Sequence, residues 1–300
     1  MKDKKMIKKI EEYLDQLKKE LAGSDPSLAQ DALSDAEEHF RTALGDALEK
    51  DPRASESVIL QSQIEKYGTP SEIASAYKEI ESRMLPAFAP PKQKPPRTLW
   101  IKYFGVIKEA RTWGAFLYII LSALTSLLFF MWAFLGGTFS LFSLILIIGI
   151  PVTGFFLLSL RGIALLEGRM VEALLGVRMP RKPIFIRKGL NWRQKYKALA
   201  TESHTWKAFA YLIVHFPLTW IHFLIMFVVL GFSIKSAIYP IWYWGLGRPL
   251  ITLGEPFYPP AWSYPAVAIG GILMFFAALH LAGLMGRVQG RFAKFMLVKK

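Results

Sequence analysis

Arg111-Thr112-Trp113-Gly114-Ala115-Phe116-Leu117-Tyr118 opens one long apolar run, and His204-Thr205-Trp206-Lys207-Ala208-Phe209-Ala210-Tyr211 opens another. The two octets share Thr-Trp-x-Ala-Phe-x-Tyr in register, which points to an internal duplication. Where the apolar runs end, Glu167-Gly168-Arg169 is echoed by Gln289-Gly290-Arg291. Each unit therefore reads as a Thr-Trp opening, two apolar crossings and a basic closing helix, with units spanning about 99–177 and 191–298. The opening and closing segments of each unit carry Arg or Lys. The sequence thus predicts two parallel helix-hairpin repeats that start and finish on one side of a membrane.

Composition agrees with a membrane setting. Of 300 residues, 53% are hydrophobic and 14% aromatic, too apolar for an ordinary soluble protein. Runs near 113–135, 139–160, 206–232 and 264–285 each reach the roughly 20 residues a helical crossing needs. The expected fold is all-α, with a four-span membrane bundle. Between the second and third runs lie ten Lys or Arg, from Arg161 to Lys197, which places that connector in the cytoplasm. Gly136-Gly137-Thr138 reads as an outer turn, and Ser233 to Ser263, with few charges, as an outer loop. Both termini then face the cytoplasm at the cell membrane. The net charge of +14 is unevenly spread: residues 1–90 hold 13 basic against 18 acidic side chains, and residues 91–300 hold 24 against 5. Basic residues close to apolar runs fit anionic lipid headgroups as partners and not nucleic acid. The chain has no cysteine, which excludes disulfide and thiolate chemistry. Met1-Lys2-Asp3-Lys4-Lys5 has no apolar stretch behind it, so no cleavable signal peptide is expected.

The front of the chain has a different character. From Lys4 to Ala22, Ile7, Ile10, Leu14, Leu17 and Leu21 recur at helical spacing. Asp25-Pro26 starts a second helix, Asp51-Pro52 ends it, and a third carries Val58, Leu60, Ile64 and Tyr67 up to Gly68. Thr69-Pro70-Ser71-Glu72 is a capping box that opens a fourth. Residues 1–85 therefore read as a small cytoplasmic helical bundle, 86–97 as a stiff proline-rich linker and 98–300 as the membrane domain. Trp100, Tyr103, Phe104 and Ile107 interleaved with Lys102 and Lys108 suit a helix in the headgroup plane. The bundle's acidic second helix, with Glu37, Glu38, Asp46 and Glu49, faces a connector carrying Arg178, Arg181, Lys182, Arg187 and Lys188. This predicts weak, salt-sensitive docking, with a freely moving bundle as the alternative.

Two resemblances follow. Asp35-Ala36-Glu37-Glu38-His39-Phe40 and Tyr67-Gly68-Thr69-Pro70-Ser71-Glu72-Ile73-Ala74 resemble the HAAS domain, a bacterial α-helical signalling module found beside membrane domains. Arg111-x-Trp113-x-Ala115-Phe116-x-Tyr118, Ile148-Gly149-Ile150-Pro151 read as a break in the second span, Arg161-Gly162-x-Ala164-x-x-Glu167-x-Arg169 and Ala173-Leu174-Leu175-Gly176-Val177 resemble the Putative sensor domain of bacterial histidine kinases and stand-alone membrane proteins. The resemblances imply a signalling role with a cytoplasmic protein partner, a regulator or a kinase. Homo-oligomerisation stays open.

Catalytic motifs are missing. There is no GxxxxGK[ST] phosphate loop, no Gly-x-Ser-x-Gly and no His-Glu-x-x-His, so a non-enzymatic protein without a cofactor is expected. Glu167 and Glu172 beside Arg169 read as a salt-bridged interfacial face. His215, His222 and His280 fall on the third and fourth spans. Three imidazoles there could ligate a metal or haem, or could bond to backbone or Thr219 and pack as small aromatics. Trp242, Tyr243, Trp244, Arg248 and Trp262 of the outer loop could line a sensing pocket or form the interfacial aromatic belt. A small transport or lipid-handling protein is the alternative function.

Overall fold

A computed structural model describes residues 2–51, 55–84, 86, 88, 98–145, 149–182, 192–252 and 254–298. Among them α-helices follow one another as α1 (Lys2–Glu20), α2 (Pro26–Lys50), α3 (Glu56–Tyr67), α4 (Pro70–Arg83), α5 (Leu99–Phe104), α6 (Ala110–Ser143), α7 (Gly149–Leu175), α8 (Trp192–Thr201), α9 (Ser203–Ala237), α10 (Tyr239–Leu246) and α11 (Tyr264–Leu297). The fold is all-α. Most of the proline-rich linker, and the connector carrying Arg187 and Lys188, lie outside the described residues.

The first four helices close their own core. Ile10, Tyr13, Leu17 and Leu21 of α1 pack against Ala32, Ala36 and Phe40 of α2, with Leu60 and Ala74 completing the cluster. Asp25 caps α2 by accepting from Ser27 N at 2.9 Å. Thr69 and Glu72 form the reciprocal capping box on α4 that the sequence predicts. Val58 is 67% exposed, so α3 turns a narrower face inward than its apolar positions suggest.

Helices α6, α7, α9 and α11 are long and apolar enough to cross a membrane. Gly136-Gly137-Thr138 is not a turn: α6 runs through it to Ser143. A Cβ on Gly136 would lie 2.7 Å from the Phe156 ring, so the glycine lets α7 approach closely. The chain turns at Leu144–Ile145, and α7 starts at Gly149, which makes Pro151 a first-turn residue of that helix and not a break within a span.

The repeat does not pack in the expected sense. Gly136 meets Phe156 and Trp132 Nε1 donates to Ser159 at 2.8 Å, so α6 and α7 are antiparallel. Phe130 stacks on Phe216 at 4.7 Å, and a Cβ on Gly137 would touch Phe209 at 3.5 Å, so α6 and α9 are antiparallel as well. Equivalent local contacts nevertheless recur: Trp113 Nε1 donates to Ile107 O at 2.8 Å, and Trp206 Nε1 to Ala200 O at 2.7 Å, each six residues back. A sequence repeat fixes which face a helix buries, and leaves open the direction in which the copy runs against its neighbour. The two Thr-Trp motifs accordingly start from opposite ends of the α6–α9 pair. Helix α9 is antiparallel to α11, where a Cβ on Gly271 would come 2.3 Å from Ala237 N.

Candidate functional site

Two polar constellations stand out, one inside the membrane bundle and one where the amino-terminal bundle meets it. The first is centred on Glu167. Its place on α7 follows the stripe Leu160, Ala164, Val171 and Leu175, all buried, and the helical period turns Glu167 inward with them. The residue is wholly buried. Tyr118 of α6 donates to Glu167 Oε1 at 2.7 Å, Tyr211 of α9 donates to the same oxygen at 3.3 Å, and His215 Nε2 lies 3.3 Å from it. The matching tyrosines of the two sequence repeats thus converge on one carboxylate. Oε2 has no protein partner. The glutamate equivalent in the second repeat is Gln289, also buried, whose amide nitrogen donates to His222 Nδ1 at 2.7 Å while its Oε1 is left unpaired.

A carboxylate this buried is stabilised only by donors aimed at it and by any positive charge on His215. Two phenols and an imidazole, from α6 and α9, thus converge on one buried oxygen of α7. The interfacial salt-bridged reading therefore fails for Glu167 and holds for Glu172. Glu172 accepts from Arg181 Nη2 at 2.8 Å and lies 3.4 Å from Arg169 Nη1.

The histidines do not converge. His215 lies beside Glu167, with Thr219 Oγ1 3.3 Å from its Nδ1; His222 meets Gln289; His280 Nε2 donates to the Tyr103 carbonyl at 3.1 Å. His215 beside Thr219 and His280 on a backbone carbonyl match the hydrogen-bonding alternative, whereas His222 has a side-chain amide as its partner. No group of three His, Cys, Asp or Glu placed to hold a metal ion occurs among the described residues. In the 233–263 loop, Trp242, Arg248 and Trp262 are exposed, and Tyr243 alone joins a buried cluster, with Tyr239 and Tyr264. The side chain of Trp244 lies outside those described.

The second constellation ties the two halves of the chain. Asp31 on α2, 4% exposed, accepts from Arg178 Nη2 at 2.7 Å, from Arg181 N at 2.9 Å and from Lys182 N at 3.1 Å. Two consecutive backbone N–H groups and a guanidinium form a concavity for one carboxylate. Around it, Ser27 Oγ donates to Arg178 O at 3.0 Å, Arg178 Nε to Glu81 at 2.8 Å and Lys294 Nζ to Asp25 at 2.5 Å. Lys182 also reaches Asp35. Burial pulls the Arg178 guanidinium toward the neutral form, but the hydrogen bond to Asp31 and the charges of Asp31, Glu81 and Glu172 outweigh it and hold its pKa above the ordinary arginine value.

The basic side of this junction is the one expected from Arg178, Arg181 and Lys182. The acidic side is not, because Asp25, Asp31, Asp35 and Glu81 make the contacts in place of Glu37, Glu38, Asp46 and Glu49. A sequence signal was present. Ser27, Asp31 and Asp35 recur every four residues, a polar stripe along one face of α2, and a polar stripe buried in a small domain marks a surface covered by something else.

An all-α membrane bundle with a polar centre, docked to an amino-terminal helical bundle through charged side chains, has the build of a membrane-bound regulatory protein. Comparison with known families narrows this. The Putative sensor family matches residues 118–297, more than half of the chain, and the chain belongs to it; the HAAS family matches residues 12–76, ahead of it. Both are regulatory and non-catalytic families, and together with four apolar helices they make this a multi-pass membrane protein with a signalling sensor role. No curated protein and no solved structure matches the chain.

Proposed function

We propose that this protein passes a change in the cell membrane or envelope to a cytoplasmic protein partner, a regulator or a kinase, by releasing its HAAS bundle from the membrane domain. The bundle is the output module, lying on the cytoplasmic side. The observation that carries the reading is Asp31, a buried carboxylate held across the domain boundary by Arg178 and the amides of Arg181 and Lys182. A side chain held this way favours two discrete states. Pulling Asp31 out exposes a guanidinium and two amides to water, while a partial shift leaves them desolvated and unpaired.

The test uses the full chain in lipid nanodiscs. In the wild type, slow hydrogen exchange is expected at α2 and at residues 176–182. Asp31→Ala, which leaves the Arg181 and Lys182 amides unpaired and Arg178 with Glu81 as its remaining close carboxylate, is expected to raise exchange in both segments together and to increase crosslinking of the bundle to a cytoplasmic protein in cells. Unchanged exchange in both segments would show that Asp31 does not hold the bundle. Raised exchange without new crosslinks would leave the latch and remove the partner.

A further inference from the structure

A cavity of about 430 Å³ lies between the carboxy-terminal half of α6, the start of α7, α8 and the start of α9. Its walls are hydrocarbon and aromatic, with Phe134, Leu141, Leu144, Phe156, Leu160 and Phe209 among them. Most polar groups at its edge are already satisfied within the protein. Thr153 Oγ1 donates to Gly149 O at 2.8 Å, Thr138 Oγ1 to Phe134 O at 2.8 Å and Trp206 Nε1 to Ala200 O at 2.7 Å. Ser140 Oγ, buried, has no partner. The volume falls in the range of small-ligand sites, roughly 300–1,000 Å³, and the walls favour an occupant that is nearly pure hydrocarbon.

Basic residues adjoin the cavity lining in sequence. Tyr196, Ala200 and Trp206 line the cavity, and their sequence neighbours Lys197 and Lys207 are exposed. Helix α8 carries Arg193, Lys195 and Lys197 and no acidic residue. The nearest acid in sequence, Glu202, is engaged by Arg161 at 2.6 Å. An apolar chamber whose lining residues Tyr196 and Trp206 are each followed in sequence by an exposed lysine complements an anionic amphiphile.

We infer that this cavity binds one acyl chain of an anionic bilayer phospholipid, with the headgroup phosphate met by Lys197 and Lys207. The inference stands apart from the docking reading, since no residue of α1–α4 lines the cavity. Occupancy would still reach the junction's surroundings, because Phe156, Leu157 and Leu160 share one buried cluster with Val171, Leu175 and Met179.

The experiment reconstitutes the full chain in phosphatidylcholine vesicles doped with phosphatidylglycerol bearing a mid-chain photoreactive diazirine, and maps the crosslinked peptides. Labelling is expected to concentrate on peptides containing Phe156 and Phe209, and unlabelled phosphatidylglycerol should compete better than phosphatidylcholine. Gly137→Leu should lose most of it, since a Cβ there already comes within 3.5–3.6 Å of Phe209 and Phe156 and a larger side chain must fill the space. If that variant does not fold, Leu144→Trp fills the cavity from a position that is 44% exposed. Lys197→Gln with Lys207→Gln should abolish the preference for phosphatidylglycerol while keeping the crosslink sites. Labelling of the exposed Leu124 and Leu128 as strong as that of the cavity, equal competition by both lipids, or unchanged labelling in the filled variant would each overturn the inference.

Discussion

Glu167 concentrates most of the chemistry that a single residue contributes to this bundle, and its burial is legible from period alone. Counting from Leu160 through Ala164 to Val171 and Leu175 puts it on the inward stripe, yet its neighbours Arg169 and Glu172 suggest a surface salt bridge, so charge and period point opposite ways and period wins. What no sequence pattern shows is that Tyr118 and Tyr211, which mark the repeat, meet at the same oxygen, because that depends on how α6 and α9 pack. The Tyr118 bond, 2.7 Å long, is worth about 1.5–3 kcal/mol when its acceptor is charged. A double-mutant cycle of Tyr118→Phe and Glu167→Gln, followed by unfolding in mixed micelles, is expected to give a coupling energy on the order of 1–3 kcal/mol. Coupling indistinguishable from zero would mean that the phenol and the carboxylate do not interact. The unpaired Oε2 adds a second expectation. Replacing both Glu167 and His215 by apolar residues of similar size should cost less stability than replacing His215 alone, because the single change leaves buried Glu167 with one polar neighbour fewer, while the double change removes the unsatisfied group itself.

At the scale of elements, glycine carries a different meaning inside the membrane than outside it. Gly136-Gly137-Thr138 reads as a turn because clustered glycine marks turns in water-soluble chains. Between membrane helices glycine serves close packing, and a Gly136→Val change is expected to push Phe156 aside at a cost of about 1–3 kcal/mol. A lowered melting temperature of the detergent-solubilised chain, with helix content kept, is the outcome to look for; no change would restore the turn reading. In the HAAS bundle all four helices and the α4 cap are legible in the sequence, since caps and periodicity act locally. The bundle's pH response follows from its tyrosines. Burial, with the neighbouring Tyr67 and Glu72 charges, lifts Tyr13 to about 12, and burial with Asp35 lifts Tyr67 to about 12, from an ordinary 10.0. Tyr77, half-buried and donating to Asp35, is raised too. A folded pKa above the unfolded one gives stability that is fully present below pH 10 and is lost as the pH climbs toward 12. Absorbance at the tyrosinate band should therefore rise together with loss of α1–α4 helicity in that window. Tyrosinate appearing near pH 10 with the bundle intact would contradict the burial of these phenols.

At the scale of the whole molecule, charge and packing address different questions, and here they give different answers. The two-domain layout is legible because the acidic front and the basic, apolar back differ in composition. The strength of the junction is not, because opposite charges on two surfaces predict only a screened attraction, whereas Asp31 and Arg178 are both under a tenth exposed and so shielded from salt. Lysine and arginine near apolar runs set the orientation in which spans insert, and they put the segment around Lys102 inside and the loop around Arg248 outside. The packing brings those regions to one end of the bundle. Tyr103 donates to Leu273 O at 2.6 Å and accepts from His280, while the loop leads directly into Tyr264 at the start of the same helix. Thr112 and Ala115 face Gly283 and Gly286 in the same order, so α6 and α11 run parallel. The chain has no cysteine, so single cysteines at Lys102 and Arg248, both exposed, report each site alone. With this packing kept in the bilayer, an impermeant thiol reagent should label both positions from the same side of sealed vesicles. Labelling from opposite sides would mean that the positive-charge asymmetry governs insertion. The α6–α9 contacts through Phe130 and Phe216 would then have to be remade in a parallel arrangement, in which Tyr118 and Tyr211 approach Glu167 from the same level of the membrane.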